Sequence, residues 1–186
     1  VIAEADEADR REIQEKVQRY GYLVVGSTGD GRAAAQMIFQ REPEVAVVSV
    51  DLPTRSGLEV VRVVEEQLVS AVVLTAREFD WDLLEKARAT GAQAFLVKPL
   101  SEQILIPALE LAIAEFQRYK EVLAENRRLK EDLETRRLVE RAKGMLMREK
   151  GWTEEEAYSF LRRESMNRCQ PLRRIARAVL EGRLRA

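Results

Sequence analysis

The chain of 186 residues contains no histidine and one cysteine, Cys169. A zinc site draws on several imidazole or thiolate ligands, and a catalytic serine or thiol leans on a nearby base, most often histidine. The commonest metal and nucleophilic centres are therefore excluded. A single thiol forms no internal disulfide, which fits a reducing compartment and leaves Cys169 as ordinary surface or packing. No apolar run approaches the roughly 18 residues of a membrane span, and no basic segment followed by an apolar one opens the chain. These absences predict a cytoplasmic protein with no membrane partner, no cofactor and no metal.

What is present is charge, unevenly placed. Residues 1–134 carry 17 Lys and Arg against 25 Asp and Glu, a net −8, whereas residues 135–186 carry 14 against 7, a net +7. The basic segment suits a polyanion, or else docks on its own acidic neighbour. Hydrophobic residues make up 46% of the chain, enough for packed cores in one or two domains.

Short β-rich runs alternate with amphipathic segments from the start. Strands are predicted at Val1–Ala3, Tyr22–Val25, Val45–Val50, Ala71–Leu74 and Ala94–Val97. Helices fall between them at Asp6–Tyr20, Gly31–Gln40, Leu58–Gln67 and Trp81–Thr90. Parallel strands need crossover connections and burial on both faces, so the pattern predicts a doubly wound α/β fold, (βα)5 and flavodoxin-like, over residues 1–115. Ligands of such folds bind beyond the carboxyl ends of the strands, where Glu4, Ser49 to Asp51, Thr75, and Lys98 with Pro99 stand.

Those strand ends, with the strings SVDLPTRSGLEVV, VVLTA and GAQAFLVKPL, resemble a bacterial two-component receiver domain. The resemblance implies a carboxylate pair that holds Mg²⁺, a strand-end Asp that takes a phosphoryl group, and a Thr or Ser with a Lys that stabilises its oxygens. Thr75 and Lys98 match the last two, and Phe95 matches the family's switch aromatic. Four residues before Pro53, however, stands Ser49 rather than Asp. The acidic pair is Glu4 and Ala5, so the second carboxylate is missing. Asp51 lies two residues past the acceptor position, in the turn. The expectation is a pseudo-receiver, with Glu4, Ser49, Asp51, Thr75 and Lys98 as a degenerate phosphoacceptor pocket in which Lys98 pairs with Glu4 or Asp51. An acceptor role for Asp51 is the competing reading.

From Ser101 to about Lys150 the chain reads as one long helix, with Pro107 tolerated in its first turns. Apolar or uncharged residues recur at Leu105, Ala108, Ala112, Tyr119, Val122, Asn126, Leu129 and Leu133. Glu115 breaks this seam, and Phe116 takes up the apolar face one position on. Such a stripe packs back onto its own chain or pairs with a second copy. Asn126 at an a position favours a parallel homodimer, because a buried Asn pair fixes register and strand number. A coiled-coil linker is expected over 105–134, with Tyr119, Val122, Asn126, Leu129 and Leu133 as its dimer positions.

Beyond Leu133 three helical segments can be drawn: the end of the long helix, stopped by Gly151; a second opened by the capping box of Thr153 and Glu156; and a third from about Pro171. Each has an apolar face, so a small three-helix bundle is expected over 135–186. The string RAKGMLMREKGWTEEEAYSFLRRESMNR, followed by LRRIARAVL, resembles the ANTAR domain, an RNA-binding output module of antitermination regulators. That resemblance implies a homodimer whose modules bind paired hairpins in a transcript leader. Candidate RNA-binding residues are Arg137, Arg141, Lys143, Gly144, Arg148, Arg173, Arg174 and Arg177, since arginine forks onto phosphate and stacks on unpaired bases. Gly144 in a helix interior costs about 1 kcal/mol relative to Ala, which points to close approach of a neighbouring helix, the nearer explanation, or of a phosphate. Trp152 and Tyr158 are expected in the bundle core.

Together the modules read as a non-enzymatic, dimeric RNA-binding antitermination regulator, controlled through its pseudo-receiver by a partner protein or a ligand, or by dimerisation itself. The competing reading from another class is a DNA-binding response regulator. Against it, the second helix of the basic module opens with three glutamates rather than with base-reading side chains.

Overall fold

The computed structural model describes residues 1–184. Its elements follow in order as β1 (Ile2–Ala3), α1 (Glu7–Arg19), β2 (Ser27–Thr28), α2 (Gly31–Arg41), β3 (Val45–Ser49), α3 (Gly57–Gln67), β4 (Ala71–Ala76), α4 (Trp81–Ala89), β5 (Ala94–Val97), α5 (Glu102–Lys150), α6 (Glu154–Asn167) and α7 (Leu172–Leu180). They form two compact units, Val1–Glu121 and a second from Val122 onward.

In the first unit the five strands lie parallel in the order β2-β1-β3-β4-β5, the flavodoxin-like arrangement. Alternate residues of β3 and β4 face opposite ways, which gives the sheet two apolar faces. Ala46, Val48, Val72 and Leu74 pack with Ile38 of α2 and Val60, Val61 and Val64 of α3. Val47, Ala71 and Val73 pack with Ile13 and Val17 of α1 and with Leu105, Leu109, Ala112 and Phe116 of α5. Asp6 caps α1 by accepting from the N–H groups of Ala8 and Asp9, and Ser56 with Glu59 forms a capping box at the start of α3. Gly57 lets α3 begin directly beneath the end of β3: a Cβ there would stand 2.2 Å from the Ser49 carbonyl oxygen.

Two expectations need correction. The second strand is Ser27–Thr28 rather than Tyr22–Val25, and it pairs with β1 in the register Ile2 with Ser27 and Ala3 with Thr28. The seam of α5 is also divided. Leu105, Ala112 and Phe116 are buried under the sheet, which needs a cover on that face, and Leu109 joins them. The part left open starts only at Tyr119.

In the second unit the end of α5 packs with α6 and α7 around one core. Val139, Ala142 and Leu146 meet Ala157, Phe160 and Leu161, together with Ile175, Ala176 and Val179. Gly151, at φ +69°, ends α5, and the capping box of Thr153 and Glu156 opens α6. Trp152 packs against Phe160 at 5.4 Å between ring centroids, inside this core. Tyr158 does not join it, being exposed on the outer side of α6.

Candidate functional site

Two groups of side chains emerge, one in each unit. The first lies at the carboxyl ends of the strands. Glu4, directly after β1, is 2% exposed, and one of its carboxylate oxygens accepts from the Lys98 ammonium at 2.7 Å while the other accepts from the Asp6 N–H at 3.1 Å. Lys98 follows β5, and its peptide bond to Pro99 is cis. It also donates to Asp9 of α1 at 2.7 Å, so one cation is clasped between two carboxylates. Burial pulls the Lys98 pKa down, but the hydrogen bonds to Asp9 and Glu4 outweigh it and leave the value above that of an ordinary lysine. Arg10 of α1 closes the same edge, donating to the carbonyl oxygens of Glu4 at 2.5 Å and Ala5 at 3.3 Å.

Ser49 and Thr75 stand side by side in the β3–β4 register, both buried. The Thr75 hydroxyl has no hydrogen-bond partner among the described residues, an uncommon state for a buried polar group. Asp51 is exposed in the turn after β3, and no bond among the described residues joins it to Lys98. Of the two partners expected for Lys98, Glu4 is therefore the one it holds. Phe95 is half-buried against the core shared by α2 and α3.

The Mg²⁺ of the receiver family does not fit this donor set. Glu4 is committed to Lys98, Ala5 offers no ligand, Ser49 brings no charge, and no group of three metal-ligating side chains converges among the described residues.

Asp9 was missed in the sequence, where it is one of three acids around the start of α1. Its spacing from the Asp6 cap puts it in the first helical turn, and only its 2.7 Å contact with Lys98 distinguishes it from Glu7.

The second group is basic. Arg141, Gly144 and Arg148 lie four, seven and eleven residues after Arg137, spacing that sets all four on one strip of α5. The three arginines are exposed and have no ion-pair partner among the described residues. Apart from its two chain neighbours and the helix's own nearby backbone, no atom comes within 4 Å of where a Gly144 Cβ would stand, which overturns packing against a neighbouring helix of the chain as its reason.

Lys143 turns away from this strip. It is 7% exposed and donates to Glu140 at 2.8 Å and to Glu154 at 2.6 Å, hydrogen bonds that hold its pKa above the ordinary lysine value. Its ammonium also lies 6.0 Å from the centre of the Tyr158 ring.

On α7, Arg173 and Arg177 reach Glu134 at 3.7 and 3.4 Å. With Arg174 they line a concavity of about 620 Å³ that also takes in Arg168 and Arg183, neither singled out from the sequence. Arg168 is paired with Glu164 and Arg183 with Glu181.

Known proteins divide the chain similarly. The response regulator receiver domain family matches residues 1–110, and the ANTAR domain family matches residues 127–180. The transcriptional regulatory protein PdtaR of Mycobacterium tuberculosis is 37% identical over 97% of this chain and 88% of its own length. Among solved structures, the receiver domain of the response regulator NarL from Mycobacterium tuberculosis superposes with a TM-score of 0.57 at 24% identity, covering 60% of this chain and 92% of its own. The Vibrio cholerae chemotaxis protein CheY4 does so with a TM-score of 0.54 at 25% identity, covering 59% and 92%. These two establish the fold of the first unit. No helix among the described residues is long and apolar enough to cross a membrane. A receiver domain and an ANTAR domain in one chain, with a regulator of transcription similar over nearly all of it, place the chain in the response regulator family, as a transcriptional regulator of the receiver–ANTAR type.

Proposed function

We propose that this chain is a dimeric RNA-binding regulator of transcription antitermination whose receiver domain no longer takes a phosphoryl group. The observation that carries the reading is the unpaired arginine strip of α5, Arg137, Arg141 and Arg148, on a small bundle of ANTAR type. Guanidinium groups fork onto phosphates and stack on the unpaired bases of hairpin loops, the part of an RNA that a protein can read. Two modules on one dimer would hold two hairpins, exclude a competing terminator hairpin, and let polymerase continue.

Dimerisation is supported by the part of α5 that its own chain leaves uncovered. Tyr119, Val122, Leu129 and Leu133 are each between 43 and 59% exposed, and Asn126 lies among them at heptad spacing. Replacing both Leu129 and Leu133 with glutamate is expected to give a monomer in sedimentation velocity; a dimer that survives the pair removes the coiled coil from the account.

Loss of the phosphoryl chemistry is supported by Ser49 at the acceptor position and by a Lys98 already occupied by Glu4 and Asp9. Control then passes to a partner protein, a ligand or the dimer itself. Against the DNA-binding reading stands α6, whose opening glutamates include the Glu154 that holds Lys143.

Fluorescence anisotropy separates the readings, using a synthetic RNA of two adjacent short-loop hairpins and duplex DNA of the same sequence over a salt series. Preference for the RNA, with a salt slope of several phosphate contacts, is the expected result. Tighter binding to the duplex would establish the DNA-binding regulator instead.

A further inference from the structure

An interior helical glycine is ordinarily explained by something that presses on it. Gly144 lies 42 residues into a 49-residue helix, yet no other part of the described protein comes within 4 Å of where its Cβ would be. It is therefore a position that weakens the helix without easing any contact the chain makes for itself. Its surroundings on α5 are one-signed. Arg141 and Arg148 flank it on the same strip, Arg137 lies one turn further, and none of the three has a carboxylate partner among the described residues. The acids that bracket Arg137 are already engaged, Glu134 with Arg173 and Arg177, and Glu140 with Lys143. The arginines of α7 are largely held by acids, whereas those of α5 are not.

Resting on the RNA-binding reading above, we propose that Gly144 is where the sugar-phosphate backbone of the bound RNA comes closest to the protein. The bare helix backbone admits the strand, and Arg141 and Arg148 fork onto the phosphates on either side of it. A side chain at this position would hold the strand off and put those phosphates beyond the reach of one or both arginines. A second protein helix is the other occupant that a glycine admits, but a partner copy would bring the same three unpaired cations to the contact, and like charges face to face repel. The surface therefore fits a polyanion.

The test uses the full chain with Gly144→Ala and Gly144→Leu, both better helix formers than glycine. Each is melted, run in sedimentation velocity, and titrated against the paired-hairpin RNA by anisotropy. The expected result is a paradoxical pair: a melting temperature raised by about 2–4 °C for a chain of this size, and RNA affinity lowered about tenfold for Ala and further for Leu, with sedimentation unchanged. Stabilised variants that bind RNA as tightly as the native chain would overturn the proposal. So would a lowered melting temperature or a lost dimer, which would assign the glycine to protein packing. If the native chain itself fails to bind the hairpins while remaining folded and dimeric, it is the RNA-binding reading that fails, and this proposal falls with it.

Discussion

The two units treat their cations in opposite ways. In the receiver, Lys98 is gathered in: Glu4 and Asp9 each hold its ammonium at 2.7 Å, and Glu4 has almost no exposure of its own. On the last turns of α5, Arg137, Arg141 and Arg148 stand exposed and unpaired around a glycine with nothing against it. A closed ion cluster serves the fold that encloses it, while an open one is available to a ligand. On the proposed reading, the pocket of the first unit serves structure and the arginine strip of the second serves recognition.

The sharpest way to break that contrast is to open the closed site. Lys98→Met leaves Glu4 buried without its counter-charge, and removing one partner of a buried pair costs about 3 kcal/mol or more. Chemical denaturation of the full chain should register that loss in the receiver, while hairpin affinity stays where it was. Replacing Glu4 with Gln in the same chain should recover much of the stability, since a neutral amide needs no cation. If Lys98→Met changes RNA affinity instead, the pocket still communicates with the output unit.

Closing the open site is the next largest change. With Arg141 and Arg148 both replaced by Ala, affinity for the paired hairpins should fall by about ten- to a hundredfold, and the slope of log K against log salt should shrink by roughly 1 to 2. An unchanged slope would remove these side chains from the phosphates. A smaller effect is expected from Glu134→Gln, which releases Arg173 and Arg177. Exposed pairs of this kind are worth roughly 0.2–1 kcal/mol, so binding should tighten by less than about fivefold. Weaker binding would mean that Glu134 positions those arginines for RNA instead of restraining them.

The smallest effects lie in pH. Lys98 has a raised pKa, so the stability it contributes is complete below the ordinary lysine value and is lost as pH rises through the raised one. The helix caps act at the other end of the scale. Backbone N–H groups lower the pKa of Asp6, Asp30 and Glu156, so their contribution is present above the ordinary carboxyl range and fades as pH falls below about 4. Thermal melts at acid, neutral and alkaline pH should show a shallow loss at both extremes. Loss of the receiver transition near neutral pH would mean that some other group governs its stability.

Much of this architecture is legible in the sequence. Val45–Ser49 and Ala71–Ala76 are apolar on both sides because both faces of the sheet are covered, the pattern of a buried parallel strand. The capping box of Thr153 and Glu156 marks the start of α6 from sequence spacing alone, whereas that of Ser56 and Glu59 at α3 emerges from the structure. Tyr22–Val25 has strong strand character in the sequence, but it is Ser27 and Thr28 that pair with β1. The α5 seam is continuous in the sequence because heptad spacing looks alike whether the helix meets its own sheet or a second helix; Leu105 and Phe116 meet the sheet. At the pocket, Glu4 and Lys98 were legible from the strand ends, but Asp9 needed the docking of α1. At Gly144 the sequence revealed the cost and not the cause, since an empty surround is visible only in three dimensions.

The central claim joins both halves of the contrast, and one titration addresses them together. Paired-hairpin RNA is titrated into the full chain by anisotropy, before and after incubation with Mg²⁺ and acetyl phosphate, with intact mass measured on the same samples. The account predicts hairpin binding in preference to duplex DNA, equal affinity in both samples, and no phosphoryl adduct. A stable adduct accompanied by a change in RNA affinity, or tighter binding to the duplex, would contradict it.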